Sequence, residues 1–360
     1  MTASTVAPPP QGIIIGVDTH SDIHVAVGLD HLGRRLGVET FQASQDGYAA
    51  LERWSRQLGT VVSFGVEGTG SWGAGLARHL RTSGHHIIEV NRPDRSTRRR
   101  HGKSDPVDAE AAARAVLAGT ASSIPKAGDG EVEMIRALQV ARRSAQKARS
   151  QAANQLRALL VTAPGHLRDG LRTVGITELV RIAARWRTGS EPDTHLAVTK
   201  HAMRSLARRH EQLADEIRDL DAHLDRLVRQ AAPDLIAVKG LGPVTCAALL
   251  VAVGDNPDRM RSESAFAHLC GVAPVPASSG KTTRHRLNRG GDRQANYALY
   301  ILAVTRLAWD PRTRAYAAKR RREGKTGKEI IRCLKRHIAR EIYHLLVPSQ
   351  PPATNHPLAT

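Results

Sequence analysis

The order of strand and helix patterns near the start of the chain most constrains its fold. Three runs rich in β-branched residues come first and are separated by short polar turns, which is typical of an antiparallel meander. A helix, a strand, a second helix and a last strand follow. The expected strands are Ile13–Asp18, Ile23–Val27, Arg35–Phe41, Val61–Glu67 and His85–Val90, and the expected helices are Gly47–Leu58 and Trp72–Leu80. This order predicts an α/β domain.

Three strands followed by helix, strand, helix and strand is the order of a ribonuclease H-like domain, although many α/β domains share pieces of it. Asp18 closes the first strand as Gly16-Val17-Asp18, and Glu67 closes the fourth as Gly65-Val66-Glu67. In a ribonuclease H-like sheet these two strands are neighbours, so the two carboxylates would converge on one edge. The alternative is that each acidic residue only hydrogen-bonds a turn.

Two further carboxylates, Asp105 and Asp108, lie three residues apart at the start of a helix that is expected to end near Gly119. At this spacing they share a helical face. Together with Asp18 and Glu67 they predict a site for Mg²⁺ or Mn²⁺, because hard cations prefer carboxylate oxygens. The alternative is a cap, with Asp105 as the N-cap, Pro106 at the first helical position and Asp108 closing a capping box.

Charge indicates the partner. The 360 residues include 53 Lys and Arg against 34 acidic residues, a formal net charge of +19, which favours a polyanion and above all nucleic acid. Aromatic residues make up only 3%, which disfavours stacking on unpaired bases as the main mode of binding. One candidate nucleic-acid-binding stretch directly precedes Asp105, although a solvated loop also fits it. It consists of Arg92, Arg95, Arg98, Arg99, Arg100 and Lys103.

The middle of the chain predicts two long helices, Glu131–Leu160 and Leu196–Ala231. The second helix carries an apolar seam with alternating spacings of three and four, which is typical of a coiled coil. The first helix carries a stripe of alanines. An antiparallel pair within one chain and a dimerising coiled coil both fit, and we expect a homo-oligomer, either a dimer or a tetramer. The seam consists of Met203, Leu206, His210, Leu213, Ile217, Leu220, Leu224 and Leu227.

The C-terminal region is mainly helical and begins with Lys239-Gly240-Leu241-Gly242 between two helix patterns. This spacing fits a helix-hairpin-helix-like element, in which backbone N–H groups bind a DNA phosphate, and it fits a plain interhelical turn equally well. Much of the excess charge lies further on, between residues 281 and 340. The candidate nucleic-acid-binding residues there are Lys281, Arg284, Arg286, Arg289 and Arg293.

We interpret the chain as a ribonuclease H-like domain (12–125), a helical coiled-coil and dimerisation region (126–232) and a C-terminal domain (233–346), between disordered ends (1–11 and 347–360). The three cysteines lack CxxC spacing, which excludes a disulfide framework and favours a reducing cytoplasm. The longest apolar run, Cys246–Val253, is far shorter than the roughly 20 residues that span a bilayer, so we expect no membrane association.

The ordered motifs between Gly12 and Leu346 resemble the DEDD-type bacterial insertion-sequence transposases, relatives of the Piv and MooV invertases. The resemblance rests on the four acidic motifs and on Asn91-Arg-Pro, Gly240-Leu-Gly-Pro, Phe266-Ala-His-Leu-Cys-Gly and Asn288-Arg-Gly-Gly. It implies an RuvC-like core whose four acidic residues bind Mg²⁺, and a serine nucleophile in a second domain. It also implies a structured noncoding guide RNA that bridges donor and target DNA, and action at the bacterial nucleoid.

The family serine precedes a glycine, which corresponds here to Ser279 before Gly280, with the adjacent Ser278 as the other candidate. From the residues alone, a turn serine is the alternative. Gly290-Gly291-Asp292 departs from the Gly-Asn pair expected from the family. The resemblance predicts a DNA transposase that acts through a serine phosphodiester. Two alternatives remain: a metal-dependent nuclease of the Holliday-junction type without a covalent serine, and a noncatalytic nucleic-acid-binding protein.

Overall fold

The computed structural model describes residues 12–91, 104–187, 194–278 and 285–347, which form two compact units. The first unit contains the described residues up to 130 together with residues 253–262. Its elements confirm the predicted order, with ends that differ by a few residues. The strands are β1 (Ile13–Thr19), β2 (Ile23–Leu29), β3 (Arg35–Gln42), β4 (Val61–Glu67) and β5 (Ile87–Val90), and the helices are α1 (Gln45–Leu58), α2 (Ala74–Thr82) and α3 (Asp105–Leu117).

The five strands form one mixed sheet in the order β3-β2-β1-β4-β5. β1, β2 and β3 pair antiparallel, whereas β4 lies parallel to β1 and β5 lies parallel to β4. This arrangement confirms the predicted meander and the predicted neighbourhood of β1 and β4.

Helices cover both faces of the sheet, so every residue of β1 is buried. Ile15 and Val17 pack with residues of α1 and α2 in one core cluster. Ile14, on the opposite face, packs with Ala109 and Ala113 of α3 in another. The alternation of side chains along β1 therefore supplies two cores at once.

Residues 253–262 join the first unit through polar contacts with the segment that follows α3. The Asn256 side chain accepts a hydrogen bond from the Ala127 N–H (2.9 Å) and donates one to the Pro125 carbonyl (3.0 Å). The Arg259 guanidinium donates to the Ile124 carbonyl at 3.2 Å. A short stretch from late in the chain thus completes the first unit.

The second unit contains the described residues of 131–252 and 263–347. It is mainly helical, with one two-stranded ribbon. Its elements are α4 (Glu131–Thr162), α5 (Gly165–Leu171), α6 (Ile176–Ala184), α7 (His195–Ala231), α8 (Pro233–Ile236), α9 (Pro243–Val253), α10 (Glu263–Leu269), β6 (Val275–Pro276), β7 (His285–Arg286), α11 (Arg293–Trp309), α12 (Pro311–Arg322) and α13 (Gly327–Leu346).

The long helices α4 and α7 pack against each other antiparallel within the chain. Glu131 accepts from Gln230 at 2.6 Å near one end of the pair, and Arg149 donates to His210 at 3.2 Å further along. Ala145 and Ala152 of the predicted stripe on α4 are buried, as are Met203, Ile217 and Leu224 of the predicted seam. The other seam residues are half-buried, and self-association through them stays a prediction.

Asp292 is the N-cap of α11, where its side chain accepts from the backbone N–H groups of Gln294 (2.8 Å) and Ala295 (2.9 Å). The aspartate that departs from the family pattern is therefore well suited to the turn it occupies. The sequence-based division at 125, 232 and 346 stays a prediction. Of the ends predicted to be disordered (1–11 and 347–360), all residues except Val347 lie outside the described residues.

Candidate active site

The carboxylates of Asp18 and Glu67 come from neighbouring positions at the same edge of the sheet. Val17 pairs with Val66 across β1 and β4, so the residue that follows each valine stands at the carboxyl end of its strand. The Thr19 hydroxyl donates to the Glu67 carbonyl at 3.0 Å and ties the two strand ends together. Asp18 is 7% exposed and Glu67 is 4% exposed, so both acidic side chains are held inside the fold.

Two glycines let α3 lie close to this edge. A methyl group at Gly16 would stand 2.1 Å from the Ala109 carbonyl oxygen and 2.4 Å from the Ala113 nitrogen, and one at Gly65 would stand 2.7 Å from Val116 Cγ2. Any side chain at either position would push the helix away from the sheet. The close approach brings the first turn of α3, with Asp105 and Asp108, beside Asp18.

The structure corrects the capping interpretation of this turn. Ser104 is the N-cap of α3, and its carbonyl accepts the first helical hydrogen bonds from Val107 (2.9 Å) and Asp108 (3.1 Å). Asp105 is inside the helix instead of capping it, because the chain leaves its extended conformation one residue earlier than the sequence suggests. The Asp105 carboxylate is half-exposed, and its Oδ1 atom lies close to His20, directly after β1.

His20 joins the carboxylates, and it was not among the predicted site residues. Its Nε2 atom lies 3.1 Å from Asp18 Oδ2 and 3.4 Å from Asp105 Oδ1. One donor atom each from Asp18, His20 and Asp105 lie within 4.8 Å of one another. The sequence signal is the spacing of two from Asp18, because alternate residues of an extended chain point to the same side.

Negative charge accumulates at Asp18. Burial raises the pKa of the Asp18 carboxyl, and the charges of Asp108 and Asp105 raise it further, whereas His20 opposes them, and the net direction is upward. A divalent cation would relieve this repulsion. Two carboxylates and an imidazole fit Mg²⁺ or, with its tolerance of nitrogen ligands, Mn²⁺.

The four predicted acidic residues do not all contribute to that group of donors. Among the residues that the structure describes, Asp18, His20 and Asp105 are the one group of three whose ligand atoms all lie within 4.8 Å of one another. Asp108 acts on Asp18 through its charge, and Glu67 stands at the adjacent strand end. Metal binding by all four stays a prediction.

Several predicted site residues lie outside the described ranges. They are the candidate nucleophile Ser279 and the basic residues Arg92, Arg95, Arg98, Arg99, Arg100, Lys103, Lys281 and Arg284. Ser278, the other candidate nucleophile, is exposed at the end of a described segment, and Arg286, Arg289 and Arg293 are also exposed.

The predicted phosphate-binding turn at Lys239-Gly240-Leu241-Gly242 connects α8 to α9. The N–H of Leu241 donates to the Val238 carbonyl (3.0 Å) and that of Gly242 donates to the Thr245 hydroxyl (2.9 Å), so both groups have partners within the turn. Lys239 Nζ stands 4.2 Å from the centroid of the Trp309 ring. These contacts stabilise the turn, and its role in binding phosphate stays a prediction.

No helix in the described ranges is both long enough and apolar enough to cross a bilayer. A mixed five-stranded sheet with carboxylates at the ends of β1 and β4 is consistent with an RuvC-like fold of the DEDD transposase class. Residues 15–163 match the sequence model of DEDD-type IS110 transposases, and residues 233–318 match that of the transposase IS116/IS110/IS902 family. Both matched regions are therefore similar to insertion-sequence transposases.

Three proteins of insertion elements are similar to parts of the chain. The chain is 30% identical over 191 residues to the 42 kDa protein of insertion element IS900 from Mycobacterium paratuberculosis, covering 52% of this chain and 46% of that protein. It is 32% identical over 145 residues to the 43.6 kDa protein of IS110 from Streptomyces coelicolor, covering 39% and 35%. It is 24% identical over 225 residues to the transposase for IS1328 from Yersinia enterocolitica, covering 61% and 63%. The matched region spans half or less of the first two relatives.

Proposed function

We propose that this protein is the transposase of its own insertion sequence and that it cleaves and rejoins DNA strands. The observation that carries the proposal is the convergence of Asp18, His20 and Asp105 at the sheet edge, in a chain whose two matched regions are both those of transposases. A net charge of +19 supplies the electrostatic attraction for DNA.

In this proposal Asp18, Glu67, Asp105 and Asp108 hold Mg²⁺ or Mn²⁺, with His20 as a further ligand or as the group that orients Asp18 and Asp105. The bound cation supplies charge neutralisation at a DNA phosphate. The protein groups position the strand, and the buried Asp18 and Glu67 carboxylates keep their place because β1 and β4 fix them.

Ser279 is the proposed nucleophile. Its Oγ atom forms a bond to the phosphorus of a DNA phosphodiester while the bond from phosphorus to the 3′ oxygen breaks. The serine hydroxyl loses its proton, and the leaving 3′ oxygen gains one. The phosphoserine keeps a reactive ester, so the 3′ hydroxyl of another strand attacks it, forms the new phosphodiester and restores the serine. Basic residues that follow the serine in the chain, among them Lys281, Arg284 and Arg286, neutralise the phosphate.

A structured noncoding RNA of the element is the proposed guide, and we propose a homo-oligomer as the active form at the nucleoid. The scarcity of aromatic residues supports base reading by pairing instead of by stacking on the protein. Sequencing of RNA that co-purifies with the protein tests the guide. Recovery of only bulk cellular RNA, with no enrichment of a transcript that flanks the element, would refute this part.

Covalent trapping tests the serine. The full chain is incubated with end-labelled donor DNA, Mg²⁺ and co-purified RNA, and denatured protein is examined for attached label. The wild type and Ser278→Ala are expected to form the adduct, and Ser279→Ala is not. Strand cleavage by Ser279→Ala without an adduct would favour the metal-dependent nuclease, whereas undiminished cleavage by Asp18→Asn would remove the carboxylate site from the mechanism.

A further inference from the structure

The second unit contains a basic cavity, and among the predicted site residues that the structure describes only Arg286 lines it. Its volume is about 790 Å³, within the range of about 300–1,000 Å³ that is usual for ligand sites. Residues 271–274 and 285–288 form one wall, and parts of α12 and α13 form the others. The positively charged lining residues are Arg286, Arg320, Lys325, Arg332, Lys335 and Arg336, and the single acidic one is Glu329.

Glu329, the one carboxylate of the lining, forms hydrogen bonds at the start of its own helix. Glu329 accepts from the Thr326 backbone N–H (2.8 Å) and from the Thr326 hydroxyl (2.7 Å) in the capping box of α13. Two of the arginines have carboxylate partners of their own, since Arg320 pairs with Glu323 and Arg336 pairs with Glu263. Within the described residues, Arg286, Lys325, Arg332 and Lys335 form no direct ion pair with a carboxylate.

Lys335 is the most informative of these four cations. Its side chain is 8% exposed, and its ammonium group donates one hydrogen bond, to Asn296 Oδ1 at 2.8 Å. An ammonium group has three N–H donors. Burial lowers the pKa of Lys335 and the charge of Arg332 lowers it further, so the charged form of Lys335 is disfavoured at this position. Lys335 is thus a buried cation beside a second cation at the wall of an open cavity. An anion bound in the cavity would stabilise both charges.

Asn296 fixes this cation relative to the cavity wall. Its amide donates to the carbonyls of Cys270 (2.7 Å) and Gly271 (3.2 Å) while its oxygen accepts from Lys335. Gly271 belongs to the wall of the cavity. The site is therefore built through a hydrogen-bonded network and is more than a cluster of surface lysines and arginines.

We propose that this cavity binds backbone phosphates of a DNA strand, with Lys335 and Arg332 as the central contacts and Arg286 and Lys325 beside them. The choice of DNA rests on the proposed function, because β7, which follows Ser279 in the chain, and residues 271–274, which precede it, contribute to the wall. The charge of the lining selects phosphodiesters, and its depth places the ligand against a buried ammonium group.

Cys333 gives this proposal a local readout. It lines the cavity and is only partly buried, whereas Cys246 and Cys270 are fully buried and burial raises the pKa of each thiol to about 12. Thiolates are the reactive form, so a maleimide should modify Cys333 and leave the other two cysteines of the folded chain untouched. Peptide mass spectrometry identifies the modified residue.

The experiment measures the rate at which N-ethylmaleimide modifies Cys333 in the full chain, without nucleic acid, with duplex DNA and with RNA of the same sequence. Duplex DNA is expected to slow the modification at least fivefold at saturation, and RNA much less. Equal protection by RNA alone would assign the cavity to RNA and overturn the proposal. Absence of protection, while a gel shift shows that DNA is bound, would also overturn it.

Variants identify the contacts. Arg332→Gln changes an exposed residue and is expected to reduce the dependence of log Kd on log salt by about one unit, as one lost phosphate contact does. Lys335→Met should raise the DNA concentration for half protection at least tenfold. The matched control is Arg321→Gln, an exposed arginine of α12 outside the lining, which should leave the protection of Cys333 unchanged. Protection that persists in both cavity variants would refute the site.

The test of the cavity and the test of the serine mechanism can fail independently of each other. Ser279→Ala should lose the covalent adduct and keep the protection of Cys333 by DNA. A wild-type chain that shows protection without any adduct would refute the serine mechanism and leave the cavity in place. An adduct that forms without protection of Cys333 would refute the cavity and leave the serine mechanism in place.

Discussion

Gly16 of β1 and Gly65 of β4 lie opposite each other in the parallel strand pair, and both face α3. Each is followed by a valine and then by an acidic residue of the site. The same three-residue pattern therefore places a carboxylate at the strand end and leaves room for the helix that brings Asp105 and Asp108. Packing and chemistry are coupled through these two glycines.

Gly16→Ala should destabilise the first unit. The added methyl would meet the backbone of α3 at 2.1 Å, which no side-chain rotation can relieve, and overpacking of this kind costs about 1–3 kcal/mol or more. Urea unfolding followed by circular dichroism measures the loss. Gly70→Ala is the control, because a methyl there meets nothing within 4 Å. Equal stability of the two variants would show that α3 does not lie this close to β1.

His20→Gln should weaken metal binding without unfolding the chain. His20 Nε2 lies between the Asp18 and Asp105 carboxylates, so its loss removes either a ligand or the group that orients two ligands, an effect of about 10–100-fold in affinity. Titration of Mn²⁺ followed by electron paramagnetic resonance reports the free ion. His31→Gln, in an exposed turn, is the matched control. Identical Mn²⁺ affinity in both variants would exclude His20 from the site.

Glu52 should make the stability of the first unit depend on acid. Its carboxylate contacts His85 Nε2 (2.9 Å), His79 Nε2 (3.1 Å), Ser83 Oγ (3.2 Å) and Arg56. Burial raises the pKa of Glu52, but the hydrogen bonds with His85 and His79 and the charge of Arg56 outweigh burial and hold the pKa below its ordinary value of 4.5.

Because the folded-state pKa is depressed, the unfolded chain binds a proton at Glu52 more readily than the folded chain does. The stabilisation is therefore complete above pH 4.5 and is lost as the pH falls through the folded-state value. Glu52→Gln should lower the free energy of unfolding by about 1.5–3 kcal/mol at pH 7 and by less in acid, as measured by urea unfolding at several pH values. Glu39→Gln, at an exposed position of β3, should show no such trend. A Glu52→Gln deficit that is the same at pH 7 and pH 3 would contradict the assignment.

Asn296→Ala should destabilise the second unit and expose the cost of burying Lys335. The change removes three hydrogen bonds, two to the carbonyls of Cys270 and Gly271 and one from Lys335, and leaves the ammonium group without its partner. A loss of about 1–3 kcal/mol is expected for each buried polar group left unsatisfied. Thermal unfolding measures it, with Gln294→Ala on the exposed face of α11 as the control. Wild-type stability of Asn296→Ala would show that the network is not formed.

Much of the first unit could be predicted from sequence because local patterns determine it. Runs such as Ile13–Asp18 and Val61–Glu67 have the composition and length of buried strands, and the positions of Asp18 and Glu67 follow from where those runs end. The long helices α4 and α7 were predicted within a residue or two for the same reason, since an apolar seam repeated over many turns leaves little choice of structure.

The sequence by itself determined the strands, the long helices, the excess of positive charge and the acidic strand ends, because each depends on neighbours along the chain. Only the tertiary structure decided that Ser104 instead of Asp105 caps α3, that His20 lies between two carboxylates and that α4 pairs with α7 within the chain. It alone brought Asn296 to Lys335 at the wall of the basic cavity. Apart from the cap of α3, these relationships join residues from different elements. The physical reason is that packing distance and burial depend on the whole fold, whereas periodicity depends only on the local chain.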